Sequence, residues 1–426
     1  MILRRVFQCA LMLLACELLL STCVGQWQPH DVRFLASPQD TRQIPGQLQI
    51  VTESWNRVVA VPYLIYMPEK DRLLLLVGCD YPHRANVLWS DDRGQTWTEP
   101  KPLHVTQKGK PEVGMGTSLA YLGKGKVMFY VGLNGVFSRW FSRDYGQTWD
   151  ESVAVAKTPD DKPWYTWDPP LVERDAKTGK VTQLLETAYT WHGPISAAGS
   201  YQQGYIRFSS DEGKTWKDGT KVPQWKDVSE VALLRAPNGD LLGACRTDMP
   251  KRFVGDIDHY EGLAISTSKD NGRTWSELNR LYEWGRHHAS MLVMPDGRIV
   301  MTYVVRKGYT DTADGRNRFS IEAIISNDNG KTWDLDHRYI LHSWDSDKKL
   351  IWWPSSQCTS SVLLPDGSIM TAFGTGYRCK AGKKPHTPTP RDAGIVHWRP
   401  VGKPKSFGGP ITSATLESDL RNVFVP

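Results

Sequence analysis

Five copies of one eight-residue box run down this chain: SDDRGQTW from Ser90, SRDYGQTW from Ser142, SSDEGKTW from Ser209, SKDNGRTW from Ser268 and SNDNGKTW from Ser326. Ser, Asp, Gly, Thr and Trp keep the same places in every copy. Boxes spaced by roughly 50–70 residues indicate a repeated supersecondary unit, so the 426 residues are read as one large body rather than several domains. Asp and Gly in this arrangement suit a tight turn, the Asp accepting backbone N–H groups and the Gly supplying positive φ. Thr and Trp would pin the turn, the Trp packing on its own blade. An Asp repeated at five equivalent turns cannot meet one substrate, so the box is read as scaffold.

A second signal alternates with the first. YLIYMPEKDRLLLLV from Tyr63, SLAYLGKGKVMFYV from Ser118 and PLVERDAKTGKVTQLL from Pro170 each place a turn between two apolar runs. So do VALLRAPNGDLLGA from Val231, SMLVMPDGRIVMTYV from Ser290 and SVLLPDGSIMTAF from Ser361. Each reads as a β-hairpin. A hairpin with two outer strands makes a four-stranded antiparallel blade, and six such blades predict an all-β, six-bladed propeller. QWQPHDVRFL near the start, or the tail through ITSATLESDLRNVFVP, is expected to complete the last blade.

Arg4 and Arg5 precede an apolar run from Val6 to Leu20, which reads as an export leader over residues 1–25 followed by one mature domain, 26–426. Leu20-Ser21-Thr22-Cys23 also has the form of a weak lipid-attachment box at Cys23, and the expected location is periplasmic or extracellular. No later run is long enough for a transmembrane span in the mature chain. The net charge of +6 is scattered, with no basic stripe, so no nucleic acid is expected as a partner. Cys358 and Cys379 flank one hairpin and could pair, or stay as buried thiols. No metal or cofactor constellation stands out, and DTADGRNR after Tyr309 lacks the terminal Glu of a calcium loop. Lys307 to Arg318 reads as a loop over the site.

In a propeller the ends of second strands and the starts of first strands share one end of the axis. That end would hold Cys79 to Arg84, Tyr189 to His192, Arg246 to Asp248, Arg306-Lys307 and Tyr377-Arg378. It would also hold Trp164 to Asp168, Asp227, Glu230, Arg286-His287-His288, Trp352-Trp353 and Gln357. Arginines for a carboxylate, tryptophans for a ring face and carboxylates or His for proton transfer suit an acidic sugar.

The boxes resemble the Asp-boxes, or BNR repeats, of the sialidase (neuraminidase) superfamily, over about Val58 to Arg399. That resemblance implies three arginines that grip the sugar carboxylate, a Tyr nucleophile activated by Glu, and an Asp acid/base. Glu230 in SEVALLRAPNGDLLGACR stands where the activating Glu stands. Arg246 resembles the second clamp arginine and Arg286 the third, while Asp80 in VGCDYPHR is the candidate acid/base. Ala60-Val61-Pro62 replaces the Arg-Ile-Pro motif, so the first arginine is missing. Gln357, Cys358 or Thr359 stands where the nucleophilic Tyr is expected. His287, His288, Arg378 and Trp353 are further candidates for substrate binding, with His83 and Arg84 beside them. The implied function is an exported exo-glycosidase acting on terminal residues of an acidic oligosaccharide or glycoconjugate. A non-catalytic glycan- or protein-binding propeller, or another carbohydrate-cleaving activity such as a lyase, is the alternative.

Overall fold

Each hairpin read from the sequence forms the first two strands of a blade. Blade 1 comprises Val59–Met67, Arg72–Cys79, Arg84–Ser90 and Lys101–Pro102, and blade 2 Met115–Gly123, Lys126–Leu133, Val136–Ser142 and Glu151–Ala154. Blade 3 comprises Leu171–Arg174, Val181–His192, Tyr201–Ser209 and Thr220–Lys226. Blade 4 comprises Val228–Arg235, Leu241–Thr247, Gly262–Ser268 and Asn279–Tyr282. These four stand as separate four-stranded sheets. The structure is a computed structural model that describes residues 25–37, 40–103, 114–133, 136–149, 151–193, 200–217, 219–248, 260–306, 317–346, 355–379 and 390–402. The leader with Cys23, the tail from residue 403, Trp352-Trp353 and residues 307–316 of the expected loop lie outside them.

The remaining strands depart from the expectation of six separate blades. Blade 5 (Arg286–Val293, Ile299–Val305, Asn317–Ser326, Tyr339–Ser346) and blade 6 (Gln357–Leu363, Ile369–Thr375, Asp392–Trp398 and, from the N-terminus, Asp40–Ile50) share one nine-stranded sheet. Gln28–Ser37 bridges them: it pairs with Asp40–Ile50 along most of its length and meets blade 5 through Arg33 opposite Ile340 and Phe34 opposite Tyr339. Thus QWQPHDVRFL supplies the bridge, and the strand that completes blade 6 is the one after it, with Gln47 opposite His397 and Ile50 opposite Gly394. Joining the first strands to the last sheet closes the ring and leaves few open edges.

The core lies in the seams. Apolar clusters link blades 1 and 2 around Leu74, Leu76 and Phe129, and blades 2 and 3 around Met128 and Leu184. Others link blades 3 and 4, 4 and 5, 5 and 6, and 6 and 1, so side chains of each sheet bury those of the next.

The box turns stand at these seams. In the first box Asp92 accepts the Thr96 N–H (2.9 Å) and the Thr96 hydroxyl (2.6 Å), while Ser90 Oγ accepts the Gly94 N–H (2.7 Å). The other four repeat the pattern. Gly330 has φ +81°, and a Cβ there would lie 2.3 Å from Leu242 of the preceding blade. The box glycine therefore serves a close approach as well as a turn. Trp275 and Trp333 each enter a cluster that spans two blades, which corrects the expectation that the box Trp packs on its own blade alone.

Cys358 and Cys379 are both free, so the pairing considered from the sequence is absent. Cys358 is buried at the start of blade 6, where its thiol donates to the Pro62 carbonyl oxygen (3.4 Å). Among the described residues no helix is long and apolar enough to cross a membrane.

Candidate functional site

The first strands carry a recurrent irregularity. Register shifts fall between Ala60 and Tyr63, Thr117 and Ala120, Val228 and Val231, His287 and Ser290, and Gln357 and Thr359. Each sits near the strand's start. A bulge inserts a residue and re-aims side chains. Val61, Ser229, Glu230, His288 and Cys358 lie within these shifts and line one cavity of about 490 Å³. Val61 and His288 have left-handed φ values of 53° and 52°, a costly state for a β-branched residue and one that clusters at functional sites.

All six blades contribute to this cavity. Tyr81 and His83 follow the second strand of blade 1, Met115 opens blade 2, and Trp167, Tyr189, Trp191 and Gln202 come from blade 3 and its approach. Arg246 and Glu261 belong to blade 4, Arg306 closes the second strand of blade 5, and Gln357 stands beside Cys358. Its lining combines aromatic and charged side chains.

Four of the charged side chains form a single network. Arg246 Nη1 donates to both oxygens of Glu230, at 2.8 and 2.7 Å, and its Nε and Nη2 donate to Glu261. His288 Nδ1 lies 3.0 Å from Glu230 Oε2. Burial works against the charge on Glu230, but Arg246 and His288 outweigh it and hold the carboxyl far below its usual range. Burial also disfavours the imidazolium of His288, yet Glu230 prevails and pushes that group up to about 10. Glu230 is therefore ionised and His288 protonated at neutral pH. Asp168, 4% exposed, is pushed up to about 7, chiefly by burial and further by Glu230, against the pull of His288 and Arg246.

Of the residues singled out as catalytic or sugar-binding, Glu230, Arg246 and His288 meet in this cavity, and Tyr81, His83, Trp167, Tyr189, Trp191, Arg306, Gln357 and Cys358 of the expected face join them. Asp80, Arg286, His287 and Arg378 stand elsewhere. Asp80 is half-exposed and bound through both oxygens to Arg57, at 2.9 Å each, which holds it below the usual carboxylate range and leaves it without a proton to donate. Arg286 is buried behind the wall with its guanidinium 4.8 Å from the Tyr282 ring, and His287 is fully buried off the cavity. Arg378 forks onto Asp392 at 2.8 and 2.7 Å, also off the cavity. Arg246 bridges two protein carboxylates and so does not stand as a vacant clamp. Trp353 lies outside the described residues.

Glu261 and Gln202 escaped the sequence reading because only the starts of first strands and the ends of second strands were considered. Third strands begin at the same end of the blade, antiparallel to the second, and Gln202 and Glu261 stand at or just before two such starts. Among the described residues no group of three or more His, Cys, Asp or Glu is placed to hold a metal ion.

Comparison with known proteins agrees with this architecture. Residues 127–347 match the BNR repeat-like domain family. A xyloglucanase from a Paenibacillus species is 24% identical over 297 residues, covering 57% of this chain, and the chain spans 28% of that protein's length. Among solved structures, a protein of unknown function from Dyadobacter fermentans superposes with a TM-score of 0.59 at 17% identity, covering 81% of this chain and 96% of the other. The phage phi92 endosialidase gives 0.54 at 10% identity, covering 87% and 73%. A Hadza microbial sialidase gives 0.52 at 17%, covering 82% and 66%. At these identities the structural likeness speaks to the fold. With its repeated boxes, its blades and the match across residues 127–347, the chain belongs to the BNR repeat-like domain family.

Proposed function

We propose that this chain is an exported glycan-active enzyme whose cavity takes the terminal residue of an acidic glycan and cleaves its glycosidic bond. The observation that carries the reading is Glu230, held ionised between Arg246 and His288 in a cavity that Trp167, Trp191 and Tyr189 also line. Indole faces stack on sugar rings, and a fixed ionised carboxylate stabilises the positive charge that develops at an anomeric carbon. Arg246, Arg306 and His288 set three positive charges against the two of Glu230 and Glu261, so the lining favours an anionic sugar. The xyloglucanase relative supports a polysaccharide as the broad class. Export rests on the leader over residues 1–25, with Cys23 as a site for a lipid anchor.

Incubation with a panel of aryl-glycosides and acidic oligosaccharides tests the reading. Release of a terminal sugar is expected, with a fall on the order of 10²–10⁴-fold in Glu230→Gln. Binding without release in the wild-type protein, unchanged by that substitution, would instead make the propeller a glycan-binding module.

A further inference from the structure

Adjacent glutamines on the third strand of blade 3 are used in different ways. Gln203 Nε2 donates to the carbonyl oxygens of Val222 (2.7 Å) and Trp225 (3.3 Å), which ties the third strand to the fourth. Gln202 takes the other face, as alternation along a strand requires. It is 4% exposed, lines the cavity, and its Oε1 has no hydrogen-bond partner among the described residues. The backbone beneath it is fixed, because the Gln202 carbonyl oxygen accepts the Asp227 N–H (2.8 Å). A buried acceptor left alone is costly. Gln203 therefore holds the blade together, and Gln202 is half of a contact that a ligand completes.

Register decides what stands beside this amide. Residues directly opposite in an antiparallel pair share one face of the sheet, as do residues two apart on one strand. Trp191, opposite Gln202, and Tyr189, two residues earlier, therefore share its face, and all three line the cavity. An indole offers a face to the C–H side of a sugar ring, and an amide offers a partner to its hydroxyl. Arg306 comes to the cavity from elsewhere. Its Nε donates to the Ser356 carbonyl oxygen (2.9 Å), just ahead of blade 6. Blades 3 and 6 face each other across a six-bladed ring, so Gln202 and Arg306 approach the cavity from opposite sides.

We propose that Trp191 and Gln202 form a neutral subsite that reads one ring hydroxyl of the terminal sugar, with Gln202 as a specificity-determining residue. This rests on the glycan reading of the same cavity and deepens it. An ionised carboxylate has no proton to donate and cannot satisfy Gln202 Oε1, whereas a hydroxyl can. The sugar is thereby oriented, its carboxylate toward Arg306 and a hydroxyl-bearing edge toward blade 3. A site with a buried polar group to satisfy rejects an analogue lacking the matching group far more strongly than apolar contact does. The ligand class is an acidic sugar with a free hydroxyl at one fixed ring position. A sugar capped there as an ether or a sulfate ester has lost the proton and is rejected.

Calorimetric binding to Glu230→Gln protein separates recognition from cleavage and tests the proposal. The probes are two trisaccharides, one ending in a uronic acid and one in a sialic acid, with the monodeoxy forms of whichever binds more tightly. Adding Gln202→Met, which keeps the side-chain length and removes the amide, is expected to weaken binding of the parent sugar about tenfold or more. The melting temperature should stay level or rise, because a lone buried acceptor has gone. One monodeoxy form is expected to bind Glu230→Gln as weakly as the parent binds the double variant, and the double variant should not distinguish the two. Equal affinity with and without Gln202→Met would overturn the proposal and leave Gln202 holding only an ordered water. A lower melting temperature with every hydroxyl preference intact would make Gln202 structural and overturn it too. Binding in the expected pattern, with no cleavage by the wild-type protein, would remove the cleavage reading and leave the subsite standing. Binding of neither probe would overturn both.

Discussion

Glu230 and His288 come from the first strands of adjacent blades, and the 3.0 Å contact between them is buried from water. Its pH dependence follows from the two shifts. Glu230 is held below its ordinary value of 4.5, so its contribution to stability is present above that pH and is lost as pH falls through the folded value. His288 is raised from 6.5 to about 10, so its contribution is complete below 6.5 and disappears as pH climbs toward 10. Thermal melts of His288→Gln are therefore expected to show a flatter decline between pH 6.5 and 10 than the wild type; identical slopes would refute the assignment. Asp168 also lowers stability as pH rises, over a lower interval. Its folded value of about 7 exceeds the ordinary 3.8, so the folded chain retains a proton that the unfolded chain has released, and stability drops over that interval. Asp168→Asn should melt higher than wild type at pH 8, and a lower melting temperature would contradict the reading. At this scale the sequence showed part of the site. Glu230 and Arg246 were legible because a carboxylate opens a first strand and an arginine closes a second. Asp80 misled, because its pairing with Arg57 joins residues 23 apart that no local pattern links.

Where both occur, the box and the bulge divide the labour between the two ends of a blade. Ser, Asp, Gly and Thr of the box close the turn by hydrogen bonds, and its Trp fills the seam toward the neighbouring sheet. Trp275, 6% exposed and 4.6 Å from the Trp225 ring between centroids, is the clearest case, since Trp225 belongs to blade 3. Trp275→Ala should cost about 3–5 kcal/mol of stability, measured by denaturant unfolding. Activity per folded molecule at low temperature should stay near wild type, and a selective loss of activity without loss of stability would mean that the box takes part in the chemistry. The box was readable because its turn geometry demands particular residues at fixed places. Bulges carry no such signature. Val61 and His288 adopt left-handed backbone without glycine, held by pairing to neighbouring strands that a local reading does not see.

Closure of the ring belongs to the whole molecule. Six hairpins were countable, but the strand that completes blade 6 was not. Asp40–Ile50 holds Pro45 and Gly46, which weaken a strand pattern, and its partner Asp392–Trp398 lies more than 300 residues away. Closure brings the start of blade 6 against blade 1, as the Ser360 hydroxyl accepting the Leu64 N–H (2.9 Å) shows. The cavity depends on that closure, since Cys358 and Val61 meet only across it. The proposed function requires residues from six blades to make one sugar site there. A crystal structure of Glu230→Gln soaked with an acidic oligosaccharide that the wild-type protein cleaves tests it most directly. A terminal sugar stacked on Trp167 or Trp191 is expected, its carboxylate toward Arg306 and its anomeric carbon toward Glu230. A sugar bound on the outer strands or at the box turns, with this cavity holding only water, would contradict it.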